Sequence, residues 1–272
     1  MRNYIHIRFQ SVSKEQQEIL IAQLAELGYE GFEEGVNNMS AYVPEDQYNE
    51  QDIKDLTAGT DISFTKETIA PRNWNEEWEQ NFQPVIIDSF CAVRAHFHAP
   101  VPGVQHEIII TPKMSFGTGH HATTFLMIQS MQSLSFAGKK ILDFGTGTGV
   151  LAILAEKLGA ASITAIDNDE WSILNAAENI SLNHCSKINV EAADRLHMGD
   201  RFDIILANIN KHVLLNSMAG IKQHLTHDGV VLMSGLLTGD KSDIEKAAQQ
   251  ENLSVFEAKE KDNWLCLMLK KN

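Results

Sequence analysis

The sequence predicts an α/β protein of two parts, a small ferredoxin-like α+β domain over residues 1–70 and a Rossmann-like α/β domain over residues 85–272. Three observations support this fold class. The patterns of residues 1–70 follow the order β-α-β-β-α-β of a ferredoxin-like fold. From about Thr123 onward, apolar strands alternate with helices, which is typical of a parallel sheet covered by helices on both faces. A connector over residues 71–84 separates the two stretches.

The elements of the first domain each carry a local signal. Apolar residues alternate with polar ones over 5–9, which predicts a half-buried strand. Ser13, with Gln16 three residues later, predicts a capping box, and the helix that it opens should end at Gly28. The remaining patterns predict, in order, a hairpin of 31–35 with 39–43 that turns at Asn37 and Asn38, a short helix over 52–56 and a strand over 62–69.

The connector from Pro71 to Pro84 carries aromatic residues at every fourth position. Trp74, Trp78 and Phe82 would share one face of a helix at this spacing. We interpret residues 71–84 as a linker helix whose aromatic face packs onto a domain surface. The alternative is that these rings form one wall of a substrate site.

The second domain begins with two strands and then becomes a regular alternation. Strands are predicted at 90–97, 107–111, 140–143, 162–166, 188–191, 202–207 and 230–234. Helices are predicted at 124–134, 150–158, 170–182, 213–225 and 243–251. A β-hairpin after the last helix is predicted at 253–258 and 264–269.

Charge and composition narrow the class of protein. The net charge of −14 argues against nonspecific binding of nucleic acid, which normally needs a basic surface. Residues 1–70 contain 5 Lys and Arg against 13 Asp and Glu, a net charge of −8. This acidity either keeps the protein soluble or attracts a basic protein partner. Three scattered cysteines, no apolar signal core and no apolar run of about 20 residues predict a cytoplasmic protein without a membrane partner.

A glycine-rich turn follows the strand that ends at Asp143. Gly145, Gly147 and Gly149 alternate with threonines and lead directly into a helix. Glycines let the backbone turn sharply and let a ligand approach without a Cβ in the way, and the helix N-terminus offers free N–H groups to an anion. The pyrophosphate of a dinucleotide would suit this position, and so would the methionine carboxylate of S-adenosylmethionine (SAM).

Two carboxylates and the C-terminal hairpin favour SAM. Asp143 would repel a pyrophosphate, whereas it can orient the turn and reach the amino group of SAM. Asp167, at the end of the next strand, is placed to bind ribose hydroxyls. The predicted hairpin is frequent in SAM-dependent methyltransferases. Two alternatives stay open: an NAD-dependent dehydrogenase, because residues 147–152 also match the pattern G-x-G-x-x-A, and a catalytically inactive binding module with a SAM fold.

Asn208 and Phe116 are the candidate catalytic residues. Asn208 follows a central strand at the sheet edge where ligands bind, and its amide oxygen can accept a hydrogen bond from an amine nucleophile. The alternative is that Asn208 caps the next helix. Phe116 offers a stacking surface beside two glycines that would let its segment act as a cover. No metal is expected, because His120 and His121 lack the spacing of metal ligands.

These motifs resemble the ribosomal protein L11 methyltransferase (PrmA) family nearly end to end. The similarity lies in residues 73–84, 116–124, 143–149 and 207–209, of which 116–124 is the most specific stretch. The resemblance implies a class I SAM-dependent methyltransferase with an N-terminal substrate-recognition domain. It also implies methylation of lysine side chains and of the N-terminal α-amine of that ribosomal protein, a basic protein of the large subunit.

The same resemblance assigns individual residues. It places SAM contacts on Thr124, Gly145, Asp167 and Asn208, and it implies that Asp194 reads the adenine amino group. Asn210 departs from the family pattern, because an apolar residue usually stands there. That departure bears on the shape of the slot for the substrate lysine and leaves the cofactor site unaffected.

Overall fold

The computed structural model describes residues 2–69, 82–113, 117, 119–193 and 199–272. The chain divides into two compact units, Met1–Asn81 and Phe82–Asn272. Trp74 and Trp78, on which the linker-helix prediction depends, lie outside the described residues. Among the described residues, no helix combines the length and the apolar character needed to cross a membrane.

The described residues of the first unit form a four-stranded antiparallel sheet with two helices. Its elements are β1 Tyr4–Gln10, α1 Lys14–Glu26, β2 Gly31–Gly35, β3 Asn38–Pro44, α2 Glu50–Thr57 and β4 Ser63–Ile69. The strands pair in the order β2-β3-β1-β4, and every neighbouring pair is antiparallel. Its core joins apolar residues of β1, α1 and α2, including Ile7, Phe9, Leu24 and Ile53. The order and the pairing confirm the predicted ferredoxin-like fold.

Local signals fix the ends of these elements. The Ser13 Oγ accepts the Gln16 N–H at 3.4 Å and the Gln16 Oε1 accepts the Ser13 N–H at 2.9 Å, which confirms the capping box. The predicted hairpin turn is displaced by one residue. Asn37 adopts the left-handed φ of 58° that the turn needs, whereas Asn38 already pairs with Gln10 as the first residue of β3.

A three-stranded sheet opens the second unit. It consists of β5 Val85–Ile87, β6 Cys91–Ala95 and β7 His106–Ile110, with β6 antiparallel to β5 and parallel to β7. The three-residue strand β5 is too short to show a periodic pattern, and the sequence did not predict it. The strand predicted over 90–97 ends at Ala95, because the His98 N–H donates to the Ala95 carbonyl at 3.1 Å and closes a turn.

The central sheet of the second unit contains seven strands. The remaining elements are α3 Ala122–Met131, β8 Lys140–Phe144, α4 Val150–Lys157, β9 Ser162–Asp167, α5 Glu170–Leu182, β10 Ile188–Ala192, β11 Phe202–Asn208, α6 Lys211–His224, β12 Leu225–Leu237, α7 Lys241–Gln250, β13 Leu253–Lys261 and β14 Trp264–Lys271. Strand order is β10-β9-β8-β11-β12-β14-β13. The first five strands are parallel, and β14 pairs antiparallel with both β12 and β13.

This strand order places a crevice in the middle of the sheet. The chain proceeds outward from β8 to β9 and β10, and then returns to β11 on the other side of β8. Helices cannot cover the sheet edge where the direction reverses, so ligands bind there at the carboxyl ends of the strands. The structure confirms the predicted α/β class with a C-terminal hairpin.

Alternate residues of the central strands enter two cores, one on each face of the sheet. Ile141 and Leu206 pack with residues of α3, α4 and α5. Leu142 and Ile205, their neighbours along the chain, pack with residues of α6 and α7. Burying each such side chain contributes about 1.5–3 kcal/mol. The continuous apolar strands therefore hold the carboxyl-end loops in fixed positions.

Candidate functional site

A cavity of about 510 Å³ lies at the carboxyl ends of β8, β9, β11 and β12. This volume is typical of small-molecule sites. The lining residues come from these strand ends and from neighbouring segments: His121, Thr123, Phe144, Gly145, Gly147, Asp167, Asn168, Ser172, Ala193, Asn208, Ile209, Asn210, Val213, Gly235 and Trp264. The structure thus brings Gly145, Gly147, Asp167 and Asn208 together at one cavity.

The glycine turn needs its glycines for two different reasons. Gly145, Gly147 and Gly149 have φ angles of 77°, 55° and 80°, in the left-handed region that favours glycine. A Cβ on Gly145 would also lie 2.2 Å from the Cγ2 of Ile209. The Gly145 N–H donates to the Ile166 carbonyl at 2.9 Å, which fixes the turn to the end of β9. Gly149 is the N-cap of α4 and does not line the cavity.

Asp143 is buried beneath this turn. Its Oδ2 accepts hydrogen bonds from the Thr146 Oγ1 at 2.7 Å and from the Ala152 N–H at 3.2 Å, which joins the turn to the start of α4. Its Oδ1 has no hydrogen-bond partner among the described residues. Burial raises the pKa of Asp143 to about 7, although the two hydrogen bonds oppose the shift. Asp143 orients the turn, and its contact with the amino group of SAM stays a prediction.

Asp167 ends β9 and lines the cavity. Its Oδ2 accepts the Gly147 N–H at 2.9 Å and its Oδ1 accepts the Asp169 N–H at 3.1 Å. Each carboxylate oxygen can accept a further hydrogen bond, so both can meet a pair of ligand hydroxyls. The ribose contact of Asp167 stays a prediction.

Asn208 ends β11 with an unused acceptor at the cavity. Its Nδ2 donates to the Thr124 Oγ1 at 3.3 Å, and its buried Oδ1 has no partner in the part of the chain that the structure describes. The residue that caps the next helix is Asn210 and not Asn208, because the Asn210 side chain accepts the Val213 N–H at 3.1 Å at the start of α6. Thr124 supports Asn208 without lining the cavity, whereas its neighbour Thr123 does line it.

The two histidines before α3 make separate contacts. The His121 Nδ1 accepts the Thr123 N–H at 3.3 Å as the N-cap of α3, and its ring meets that of Trp264 edge to face at 4.5 Å. The His120 Nε2 lies 2.8 Å from the Gln83 carbonyl oxygen. Within the described ranges, no group of three or more His, Cys, Asp or Glu could hold a metal ion.

Two predicted site residues, Phe116 and Asp194, lie outside the described residues. The stacking role of Phe116 and the adenine contact of Asp194 therefore stay predictions. Ala193 lines the cavity, and its N–H donates to the Asp167 carbonyl at 2.8 Å.

The loop after β11 is held between two glycines, which the sequence analysis missed. Gly235 has a φ of 84°, and a Cβ there would lie 2.2 Å from the carbonyl oxygen of Ile209. Gly145 makes room for the side chain of the same residue. Glycines after β8 and in β12 were visible in the sequence, but only the strand order shows that both flank β11.

Three asparagines, two on the buried face of α5 and one at its C-cap, were also missed. Asn175, Asn179 and the C-cap Asn183 recur at every fourth position, which is the signal that could have revealed them. In the middle of this row, the Asn179 Nδ2 donates to the Thr148 carbonyl of the glycine turn at 2.9 Å. The Asn175 Nδ2 donates to the Thr111 carbonyl at 3.1 Å. A helix outside the turn thus helps to hold it.

Comparisons with known proteins identify the family of this chain. A family model described as ribosomal protein L11 methyltransferase (PrmA) matches residues 5–272. A relative of that name in Porphyromonas gingivalis is 41% identical over 258 residues, covering 92% of this chain and 89% of the relative. Another in Chlorobaculum parvum is 40% identical over 280 residues, covering 98% and 96%.

Solved structures show the same kinship. The chain is similar to a crystal structure of ribosomal protein L11 methylase from Lactobacillus delbrueckii subsp. bulgaricus, with 29% identity and a TM-score of 0.66, over 70% of this chain and 100% of that one. A T. thermophilus 16S rRNA methyltransferase in complex with AdoMet and guanosine shares the fold alone, at 19% identity and a TM-score of 0.50, over 58% of this chain and 45% of that one. The family match spans the glycine turn, Asp167 and Asn208, and the chain belongs to the ribosomal protein L11 methyltransferase family.

Proposed function

We propose that this chain transfers methyl groups from SAM to amines of ribosomal protein L11, namely lysine side chains and the N-terminal α-amine. The relatives are named for the methylation of that protein. The observation that carries the proposal is the Oδ1 of Asn208, a buried acceptor at the cavity with no donor among the described residues. Buried polar atoms are normally hydrogen-bonded, so a ligand amine is the natural donor here.

The residues at the cavity fit SAM. Gly145 and Gly147 leave the backbone open to the ligand, and Asp167 offers acceptors for two ribose hydroxyls. Asp143 does not line the cavity, but its Oδ1 is a second buried acceptor without a partner in the described chain, and we propose that the amino group of the cofactor meets it. SAM supplies an electrophilic methyl group on a positively charged sulfur.

Orientation of the amine is the main contribution of the chain to the reaction. Asn208 accepts an N–H of the amine through Oδ1, while Thr124 holds the Asn208 Nδ2 and so prevents the amide from turning. The lone pair of the amine then keeps one direction relative to the methyl carbon. Such alignment supplies much of the rate of a displacement that needs little acid catalysis. The amine must lose its proton before it attacks.

A methyl-transfer assay with purified ribosomal protein L11 and labelled SAM tests the proposal. We expect label on lysine and N-terminal amines with the wild-type chain. Asn208→Ala should lower kcat about 100-fold because the amine is no longer aimed. Asn189→Ala, which changes an exposed asparagine of β10, is the matched control and should retain wild-type turnover.

Two results would replace the proposal by another function. Calorimetry that detects NAD but not SAM would favour the dehydrogenase alternative. Tight SAM binding with no label on any amine of the ribosomal protein would leave a binding module with a SAM fold. Label on another class of atom would correct the acceptor while leaving the cofactor in place.

A further inference from the structure

Beside the edge strand β7, the asparagine row (Asn175, Asn179 and Asn183) takes the place of a neighbouring strand. The Asn183 Oδ1 accepts the Ile109 N–H at 3.0 Å, and its Nδ2 donates to the Ile109 carbonyl at 2.6 Å. One side-chain amide therefore satisfies both backbone groups of an edge residue, as a neighbouring strand would. Asn183 thus secures the edge of the three-stranded sheet at β7.

Asn179 lies one turn along the row, and its two bonds reach different elements. Its Oδ1 accepts the Thr111 N–H at 2.8 Å, directly after β7. Its Nδ2 donates to the Thr148 carbonyl at 2.9 Å, inside the glycine turn. Asn179 and Thr148 are both fully buried. A single amide thus connects the start of the segment 111–121 to the turn that lines the cavity.

A second contact joins the same two parts of the chain directly. The Thr148 Oγ1 donates to the Gly117 carbonyl at 2.8 Å. Gly117 has a φ of 107°, and a Cβ there would lie 2.8 Å from that Oγ1. The turn and the segment therefore meet at two places, one of which depends on Asn179.

We propose that Asn179 is a positioning residue that holds Thr111, the first residue of this segment, in register with the glycine turn, so that SAM affinity and amine orientation both depend on it. The inference rests on the proposed function. The segment leads to His121 and Thr123, which line the cavity, and then to Thr124, which holds Asn208. A shift of the segment would therefore reach the group that aims the amine.

Loss of the Asn179 side-chain amide should affect SAM binding through the two backbone groups that lose their hydrogen bonds. Asn179→Ala would leave the Thr111 N–H and the buried Thr148 carbonyl without the partner that Asn179 provides, and both backbone groups would move to recover hydrogen bonds. We expect the Kd for SAM to rise at least about 10-fold and kcat to fall by a similar factor. Asn179→Asp keeps the acceptor for Thr111 but turns an oxygen toward the Thr148 carbonyl, so it should fail in the same way.

Asn183→Ala is the matched control. It also removes a buried amide from α5, but its side-chain bonds go to Ile109 and to the Asn179 carbonyl, away from the turn. It should lower the free energy of unfolding about as much as Asn179→Ala. Its Kd for SAM should stay within about 3-fold of wild type, because the turn keeps its support.

Hydrogen exchange in the wild-type chain gives a test without a substitution. If Asn179 couples the segment to the turn, SAM binding should slow exchange of the Thr111 amide at least about 10-fold. The Ile109 amide, bonded to Asn183, should change little and serves as the internal reference. Failure of wild-type SAM binding would instead count against the proposed function.

Three outcomes would reject the positioning role of Asn179. Folded Asn179→Ala or Asn179→Asp chains with wild-type SAM affinity would show that Asn179 only stabilises the fold. The same conclusion follows if Asn183→Ala weakens SAM as strongly as Asn179→Ala does. Should both Asn179 variants fail to fold, equal or absent protection of Thr111 and Ile109 on SAM binding would reject the coupling.

Discussion

Two carboxylates flank the glycine turn in different surroundings. Asp143 is only 1% exposed, and burial raises the pKa of its carboxyl to about 7. Asp167 lines the cavity and accepts two backbone N–H groups, one from the turn and one from Asp169. The first side chain therefore supports the turn from below, and the second faces the cavity.

The raised pKa of Asp143 predicts a pH-dependent stability. Its folded-state pKa of about 7 exceeds the ordinary 3.8, so the folded chain binds more protons than the unfolded chain between these values. Stability should therefore fall as pH rises through this window, by at most about 1.4 kcal/mol per pH unit. Asp143→Asn removes the titration. Urea unfolding at about pH 5 and about pH 8 should show the variant gaining stability relative to wild type.

The Asp143 comparison isolates one group, because every other titrating residue is common to both chains. Parallel stability curves across the two pH values would mean that the buried carboxyl keeps an ordinary pKa. The same experiment reports on Thr146 and Ala152, since an amide in place of the carboxyl can still accept their hydrogen bonds.

Asp167→Ala should weaken SAM binding strongly. The change removes an acceptor pair for the ribose hydroxyls, worth about 2–4 kcal/mol, or roughly 30-fold to 1000-fold in Kd. It also removes the acceptor of the Gly147 N–H. Asp167→Asn keeps the volume and one acceptor, so its loss should be smaller. Unchanged affinity by calorimetry in a folded Asp167→Ala chain would show that the ribose is bound elsewhere.

The sequence predicted the helices and strands whose patterns depend only on neighbouring residues. Strand and helix periods located the central strands and α5, because each side chain alternates between core and surface according to its own backbone. β5 was missed because three residues carry no period. β12 runs from Leu225 to Leu237, beyond the predicted 230–234, because its ends pair with Phe202 and Trp264, which are distant in sequence.

The residues of the candidate site also fall into those that the sequence could predict and those that it could not. Gly145, Asp167 and Asn208 could be predicted, since each stands at the end of a strand that its own residues define. Gly235 and Trp264 line the same cavity only because of the strand order and the hairpin register. No pattern within one element could place them beside the glycine turn.

Gly235→Ala tests how the loop after β11 is held. The added Cβ would strain a φ of 84°, at a cost of about 1–2 kcal/mol, and would lie 2.2 Å from the Ile209 carbonyl oxygen. That oxygen is backbone, so the loop beside Asn208 must move. We expect kcat to fall about 100-fold.

Gly103→Ala is the control for strain alone. Gly103 has a φ of 81° with nothing within 4 Å of the added Cβ. Both variants should lower the free energy of unfolding, but only Gly235→Ala should lower kcat. Equal kcat values for the two variants would mean that the position of Ile209 does not matter for turnover.

The two units of the chain have separate hydrophobic cores. Within the part of the chain that the structure describes, one core draws on residues between 5 and 64, and the other two draw on residues from 82 onward. Each unit therefore buries its own apolar surface. The acidic charge is concentrated in the first unit, where residues 1–70 carry a net charge of −8 out of −14 for the chain.

We expect the first unit to recruit the protein substrate without contributing to the chemical step. A chain that begins near Pro71 keeps the glycine turn, Asp167 and Asn208, so it should fold and bind SAM with wild-type affinity. Methylation of the intact ribosomal protein should largely be lost, because the remote binding that positions the lysine is gone. Attraction of a basic substrate by the acidic unit should raise the association rate of the full chain and fade above physiological salt.

A small amine substrate separates recruitment from catalysis. A short lysine peptide does not need the first unit, so both chains should methylate it with equal kcat/KM. On the intact protein at low substrate concentration, kcat/KM of the full chain should fall with added salt. That of the shortened chain should fall less, because it lacks the acidic unit and keeps a net charge of only −6. Full methylation of the intact protein by the shortened chain, at equal enzyme concentration, would leave residues 1–70 as a stabilising appendage. Loss of activity on the peptide as well would instead show that the first unit supports the active site itself.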